Sequence, residues 1–81
     1  MATALVMIKT ATGKEKEVFE KVKKISEVKE AELLLGLYDV YAKVVCRQSD
    51  QLVEIILTKI RSIPGVLGTK TLPAIESHHK P

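Results

Sequence analysis

The sequence predicts an α+β sandwich in the order βαββαβ, a four-stranded antiparallel sheet with two helices on one face. Three observations predict it. First, the chain repeats its own pattern at an offset of 38 residues: Ala4, Val6, Lys21, Ile25, Val28 and Leu34 recur as Ala42, Val44, Lys59, Ile63, Val66 and Leu72. Second, Val18, Phe19 and Val22 recur conservatively as Ile56, Leu57 and Ile60. Third, each copy reads strand, helix, strand. A doubled unit of this kind in 81 residues is the ferredoxin-like arrangement.

Residues 3–9 read as the first strand, with Ala4, Val6 and Ile8 on one face and Leu5 and Met7 on the other. Apolar residues on both faces predict that both are covered. Thr12-Gly13-Lys14-Glu15 fits a capping box, in which Thr12 caps the helix and Glu15 returns to the cap amide. The helix that follows places Val18, Phe19, Val22 and Ile25 on one stripe and charged residues elsewhere.

Residues 28–35 read as the second strand, ending in Leu33-Leu34-Leu35 and broken by Gly36-Leu37. The third strand spans Asp39 to Arg47. It places Val40, Ala42, Val44 and Cys46 on one face, and Tyr41, Lys43, Val45 and Arg47 on the other. Asp50 is the expected cap of the second helix, at the position Thr12 holds in the first copy. The stripe of that helix is wider, with Leu52, Val53, Ile56, Leu57, Ile60 and Ile63, which predicts deeper burial. Ile63-Pro64-Gly65-Val66 ends it, because Pro cannot continue a helix and Gly tolerates the turn. The fourth strand runs from Val66 to about Ile75. Residues 1–76 form a single domain on this reading, and residues 77–81 a disordered polar tail.

Composition narrows the function. The net charge is +3, but the 13 Lys and Arg are interleaved with 10 Asp and Glu, as in Lys14-Glu15-Lys16-Glu17. Interleaving of this kind describes a solvated helix face, not a nucleic-acid footprint. The single cysteine, Cys46, excludes an intrachain disulfide framework and suits a reducing cytoplasm. The N-terminal apolar run lacks a basic flank and is too short for a signal or a membrane span.

No catalytic constellation is visible. His78 and His79 lie in the tail, where a solvated role outweighs weak metal binding. Cys46 falls on the core face without a histidine in the folded part to activate it. Thr12-Gly13-Lys14 matches only a fragment of a phosphate loop. No cofactor is implied.

The face away from the helices carries Leu5, Met7, Tyr41 and Val45 with Lys9, Lys43 and Arg47. A mixed apolar surface of this size predicts a homo-oligomer, in its simplest form a two-fold dimer packed sheet to sheet. Gly36-Leu37-Tyr38-Asp39 allows two readings. One is a plain hairpin, with Gly for the turn and Tyr as a lid. The other is a small-ligand clamp, in which loop amides take a carboxylate and Asp39 takes an ammonium group, as recognition of a free amino acid requires.

The set Ala4-Leu5-Val6-Met7-Ile8-Lys9-Thr10, Gly13-Lys14-Glu15, Gly36-x-Tyr38-Asp39, Lys43-Val44, Lys59-Ile60-Arg61-Ser62-Ile63-Pro64-Gly65-Val66 and Thr69-Lys70-Thr71-Leu72 resembles the effector (RAM) domain of the Lrp/AsnC transcription regulators. The resemblance covers residues 3–75. It implies sheet-to-sheet dimers that assemble into rings such as octamers or decamers. It also implies a free amino acid bound between dimers at the loop Gly36, Leu37, Tyr38 and Asp39, with Val40 and the fourth strand, here Lys70 and Leu72, contributing. Pro73 departs from the pattern, since it removes a ladder donor and marks an edge or bulge.

The family's DNA-binding helix-turn-helix normally precedes this domain, and Met1 stands directly at the first strand. The chain therefore resembles the stand-alone members, with no direct DNA binding and no membrane association. Full-length Lrp-type regulators are its expected protein partners. The resulting expectation is a non-enzymatic amino-acid-binding oligomer that modulates transcription or amino-acid metabolism. Its alternatives are a small dimeric ferredoxin-like enzyme and a basic DNA-binding module. The former needs titratable groups in the core, and the latter needs a basic stripe. ACT domains, amino-acid sensors of the same topology, are the nearest structural confusion.

Overall fold

Strand β1 (Ala2–Thr10) lies inside the sheet because alternate side chains along it are fully buried: Ala4, Val6 and Ile8 all have no exposed surface. It is followed by α1 (Glu15–Lys23), β2 (Val28–Leu33), β3 (Val40–Cys46), α2 (Ser49–Ile55), a π-helical turn (Ile56–Ile60) and β4 (Val66–Pro73). The computed structural model describes all residues except His79 and Pro81, so the expectation for the His78-His79 pair lies partly outside the described residues. The sheet order is β2-β3-β1-β4, with every neighbouring pair antiparallel. This is the ferredoxin-like βαββαβ sandwich.

The internal repeat shows in the register. Ala4 lies opposite Val44, and Val6 opposite Ala42, so each copy's Ala faces the other copy's Val about the central Leu5–Lys43 pair. Cross-strand partners share a face. The helix face thus carries Ala4, Val6, Ile8, Val40, Ala42 and Val44, which pack with Val18 and Val22 of α1 and with Leu52, Ile55, Ile56, Ile60 and Ile63. Small and medium residues on the sheet let both helices approach closely.

Both expected caps are corrected. Gly13 has φ 85°, a left-handed conformation that cannot belong to a helix, so α1 starts only at Glu15 with Lys14 at its cap position. Thr12 does not cap it; Glu15 Oε1 accepts from Gly13 N–H at 3.1 Å. In α2 the cap position is Gln48, whose extended backbone (φ −131°, ψ 148°) precedes helical Ser49. Gln48 N–H donates to Gln51 Oε1 at 3.2 Å, and Asp50 sits inside the first turn, where its charge complements the helix N-terminus.

The second helix also ends differently from a regular stripe. Thr58 Oγ1 donates to the Glu54 carbonyl at 2.6 Å, and Ser62 Oγ to the Thr58 carbonyl at 2.5 Å. These hydroxyls compete with amide donors for the same carbonyls. Arg61 N–H bonds to Ile56 O at 2.8 Å, a five-residue spacing that makes the turn π-helical. Ile56 and Ile60 stay buried, whereas Val53 and Leu57, both expected on the stripe, are 60% and 50% exposed.

Strands β2 and β4 are shorter than their apolar runs suggest, stopping at Leu33 and Pro73. Both are edge strands, and Pro73 closes one of them, consistent with its missing donor. Between Val28 and Glu30 the pairing to β3 slips by one residue, leaving Lys29 as a bulge. The slip puts Glu30 and Glu32 on the open face with Lys43 and Tyr41, and Ala31 and Leu33 on the helix face.

Candidate functional site at the β2–β3 loop

Leu34 N–H donates to Asp39 O at 2.8 Å and closes a loop over Leu35, Gly36, Leu37 and Tyr38. Gly36 has φ 148°, a region that disfavours other residues, so the chain can turn there without a Cβ in the way. Asp39 then does two things at once. Its N–H donates to Ile8 O at 2.9 Å, extending the β1–β3 ladder by one rung. Its side-chain Oδ2 accepts from Thr10 N–H at 2.8 Å, standing in for a strand carbonyl that β3 does not supply there.

Lys9 Nζ lies 3.7 Å from the same Asp39 oxygen. The Thr10 N–H and, less strongly, the Lys9 charge hold the Asp39 carboxyl below its ordinary value of 3.8. Asp39 is therefore first an anchor that pins the loop to the end of β1.

The pinned loop leaves an open-sided cleft of about 380 Å³ lined by Lys9, Leu37, Tyr38, Gly68 and Thr69. Of the residues expected here, Leu37 and Tyr38 line it, whereas Gly36 and Asp39 belong to the loop but not to the lining of the cleft. Val40 is fully buried on the helix face, and Lys70 and Leu72 are exposed on the open face beside β1. The cleft takes its β4 wall one turn of the pleat earlier, at Gly68 and Thr69. The signal that could have found them is the pairing of Lys9 with Gly68 and of Ile8 with Thr69. Gly68 has no Cβ and nothing within 4 Å of where one would be, which keeps the mouth open beside Lys9.

The loop's apolar tips point to water. Leu35 is 105% and Leu37 87% exposed. The open face below the cleft carries Glu30 and Glu32 on β2 and Lys70 on β4, with Leu5, Met7, Tyr41, Lys43 and Val45 between them. Tyr41 O–H donates to Glu30 Oε1 at 3.3 Å, and burial together with the nearby Glu30 and Glu32 charges raises the phenol above its ordinary value of 10.0.

Among the described residues, no three His, Cys, Asp or Glu side chains gather where a metal ion could be held, and no helix is long and apolar enough to cross a membrane. Cys46 is half-buried, and its Sγ lies 3.1 Å from Gln48 O.

The fold, the pinned loop and the cleft describe a small-ligand-binding domain, and comparison with known proteins gives its family. The family model described as "Lrp/AsnC ligand binding domain" matches residues 3–80. The chain belongs to this family. It is 36% identical over 75 residues to the HTH-type transcriptional regulator FL11 of Pyrococcus abyssi, an alignment covering 93% of this chain and 49% of that one. It is 33% identical over 57 residues to the regulatory protein AsnC of Escherichia coli K12, covering 70% of this chain and 38% of the relative. The chain thus spans about half the length or less of these curated relatives. Among solved structures it is similar to FFRP-DM1, with a TM-score of 0.88 and 43% identity over 93% of this chain and all of that one. The family consists of regulatory proteins.

Proposed function

We propose that this chain is a non-enzymatic, amino-acid-binding oligomer that modulates transcription or amino-acid metabolism. Its ligand is a free amino acid held at the cleft beside Leu37 and Tyr38. The observation that carries this reading is the Lys9–Asp39 pair, in which Lys9 lines the cleft and the Asp39 carboxylate lies 3.7 Å from its Nζ. A zwitterion presents the complementary pair. Its carboxylate meets Lys9 and the loop amides, and its ammonium meets Asp39 at the oxygen that Thr10 does not occupy. The side chain of the ligand leaves through the open side of the cleft.

That open side is where a second dimer belongs in this proposal. Exposed Leu35 and Leu37 beside the cleft supply apolar surface for the contact. A ligand shared between dimers stabilises the assembly that completes its site, which couples amino-acid level to oligomer state. Dimers themselves form through the open sheet face. Co-assembly with full-length regulators of the same family would carry the signal to DNA, and the protein works in the cytoplasm.

The test is light scattering coupled to size exclusion, with and without each of the twenty amino acids. Assemblies of dimers whose mass or stability responds to particular amino acids are expected. A monomer that responds to none of them would overturn the proposal.

A further inference from the structure

We propose that the groove between the second helix and β4 is a separate binding site for a short-chain organic carboxylate that lacks an amino group. It goes beyond the amino-acid cleft and stands on different residues. Val53, Ile56, Leu57, Arg61, Thr69 and Thr71 line it, and its volume is about 250 Å³.

The groove exists because α2 packs mainly over β1 and β3, which leaves the helix side of β4 thinly covered. Thr69 and Thr71 pair with Ile8 and Val6, so they lie on that side of the sheet. Ile56 is buried and forms the floor, while Val53 and Leu57 form an exposed apolar wall. Val53, Leu57 and Arg61 follow one another at steps of four. On a helix of 3.6 residues per turn, each such step drifts by about 40° around the axis. The π-helical turn winds more widely and brings Arg61 back into line with Leu57. A cation thus stands at the end of an apolar wall, and π turns inserted in α-helices are frequent at functional sites.

The lining fixes the chemistry of the ligand. Among the described residues, the Arg61 guanidinium has no ion-pair or hydrogen-bond partner, and neither do the hydroxyls of Thr69 and Thr71. A planar guanidinium binds a carboxylate through two parallel hydrogen bonds. The hydroxyls can donate to the same group or to an oxo oxygen beside it. The lining holds no Asp or Glu, so an ammonium group would go unmatched there, unlike at the Lys9–Asp39 pair. The volume lies below the roughly 300–1,000 Å³ of drug-sized sites and takes about eight water-sized atoms. A fatty acid of about six carbons fits this description. So does the oxo acid that remains when an apolar amino acid loses its amino group. Thr69 lines both the groove and the cleft, so the two sites meet at β4.

The experiment is a methyl NMR titration of the full chain, which reads the Val53, Ile56 and Leu57 methyls whatever the size of the assembly. The probes are hexanoate, the oxo acid with leucine's carbon skeleton, leucine itself and hexylammonium. Hexanoate and the oxo acid should shift these methyls saturably, with dissociation constants on the order of 1 mM for ligands of this size. The tighter of the two identifies the ligand class as fatty acid or oxo acid. Leucine and hexylammonium should bind at least about tenfold more weakly there, because each brings a cation to Arg61. Arg61→Gln should weaken hexanoate by at least about tenfold. Arg61 is exposed, so the substitution leaves the fold in place. Gly68→Val, which narrows the amino-acid cleft, should leave both carboxylates unaffected.

No shift of these methyls up to about 20 mM probe would overturn the proposal. Unchanged affinity in Arg61→Gln, or leucine binding as tightly as its oxo acid, would overturn it too. Loss of carboxylate binding in Gly68→Val would also do so, by placing the carboxylates in the amino-acid cleft. Carboxylate binding that persists while no amino acid binds anywhere leaves this site standing and overturns the amino-acid reading instead.

Discussion

Thr10 N–H donates to Asp39 Oδ2 across 2.8 Å, so a side-chain carboxylate completes the β1–β3 ladder where the β3 backbone has already turned away. The same bond fixes the start of β3 and the end of the β2–β3 loop. Truncation at Asp39 therefore damages fold and site together. Asp39→Ala leaves the buried Thr10 with an unsatisfied donor and should cost about 1–3 kcal/mol in urea denaturation. Asp39→Asn keeps an acceptor for Thr10 and should cost less, yet it removes the charge that the proposed ligand's ammonium group would meet. Calorimetry with the responsive amino acid should show both variants impaired, while denaturation separates them.

The same carboxylate makes stability depend on acid. Asp39 titrates below its ordinary 3.8 in the folded chain, so the folded state binds fewer protons there than the unfolded state. Glu27, 3.0 Å from Lys59 Nζ, is likewise lowered from 4.5, chiefly by that hydrogen bond. Both contributions are fully present above the ordinary carboxylate values and are lost as pH falls through them and below. Thermal denaturation followed by circular dichroism should show a falling Tm over that range, with a shallower decline for Asp39→Asn. The double variant Glu27→Gln/Asp39→Asn should be shallower still.

Gly65 joins the two halves of the repeat, and it should be intolerant of any side chain. Its φ is 101°, and an added Cβ would come within 3.1 Å of Lys14 Cβ and 3.2 Å of Val18 Cγ2. Its carbonyl accepts from Ala11 N–H at 2.8 Å, which ties the start of α1 to the turn before β4. Gly65→Ala therefore combines backbone strain with overlap against a buried helix, for an expected loss of about 1–3 kcal/mol. The measurement is the denaturant midpoint at unchanged m-value.

The elements and the helix face were legible in the sequence because period-two and helical apolar spacing report burial directly. Ala4, Val6, Ile8, Ala42 and Val44 fall where the spacing puts them. The caps were less legible. A Thr-x-x-Glu pattern does not reveal that Gly13 adopts a left-handed backbone. The π-helical turn was hidden too, since apolar spacing does not register the one-residue widening that sends Arg61 N–H to Ile56 O. The β2–β3 loop at Gly36–Asp39 was legible through its glycine and its break in patterning. Its opposite wall at Lys9, Gly68 and Thr69 was not. That wall depends on the β1–β4 register, and a shift of one residue exchanges which side chains face the cleft. The acidic edge at Glu30 and Glu32 was concealed for the same reason, by the bulge at Lys29.

Gly68 offers a way to close the cleft without harming the fold. Nothing lies within 4 Å of its missing Cβ, and its φ is not in the left-handed region. A β-branched residue suits an edge strand. Gly68→Val should therefore leave the denaturation midpoint within about 0.5 kcal/mol of the unsubstituted protein or raise it. It fills the mouth beside Lys9, so amino-acid binding should drop by at least about tenfold, about 1.4 kcal/mol. Unchanged binding would place the ligand elsewhere on the chain.

Leu35 separates the dimer from the larger assembly. It is 105% exposed in the single chain, so Leu35→Ser removes no core contact and should leave stability within about 0.5 kcal/mol. If the loop tips meet between dimers, the same substitution exchanges apolar for polar surface at each such contact. Burying a leucine is worth about 1.5–3 kcal/mol, and a closed ring multiplies the loss over every junction. Light scattering should then show the mass falling to that of a dimer, with the sheet interface intact. Amino acids that promote assembly should act on Leu35→Ser only at higher concentration, because ligand linkage must offset the weaker contact. An undiminished oligomer would place the junction away from this loop, and the cleft would then have to be complete within one dimer.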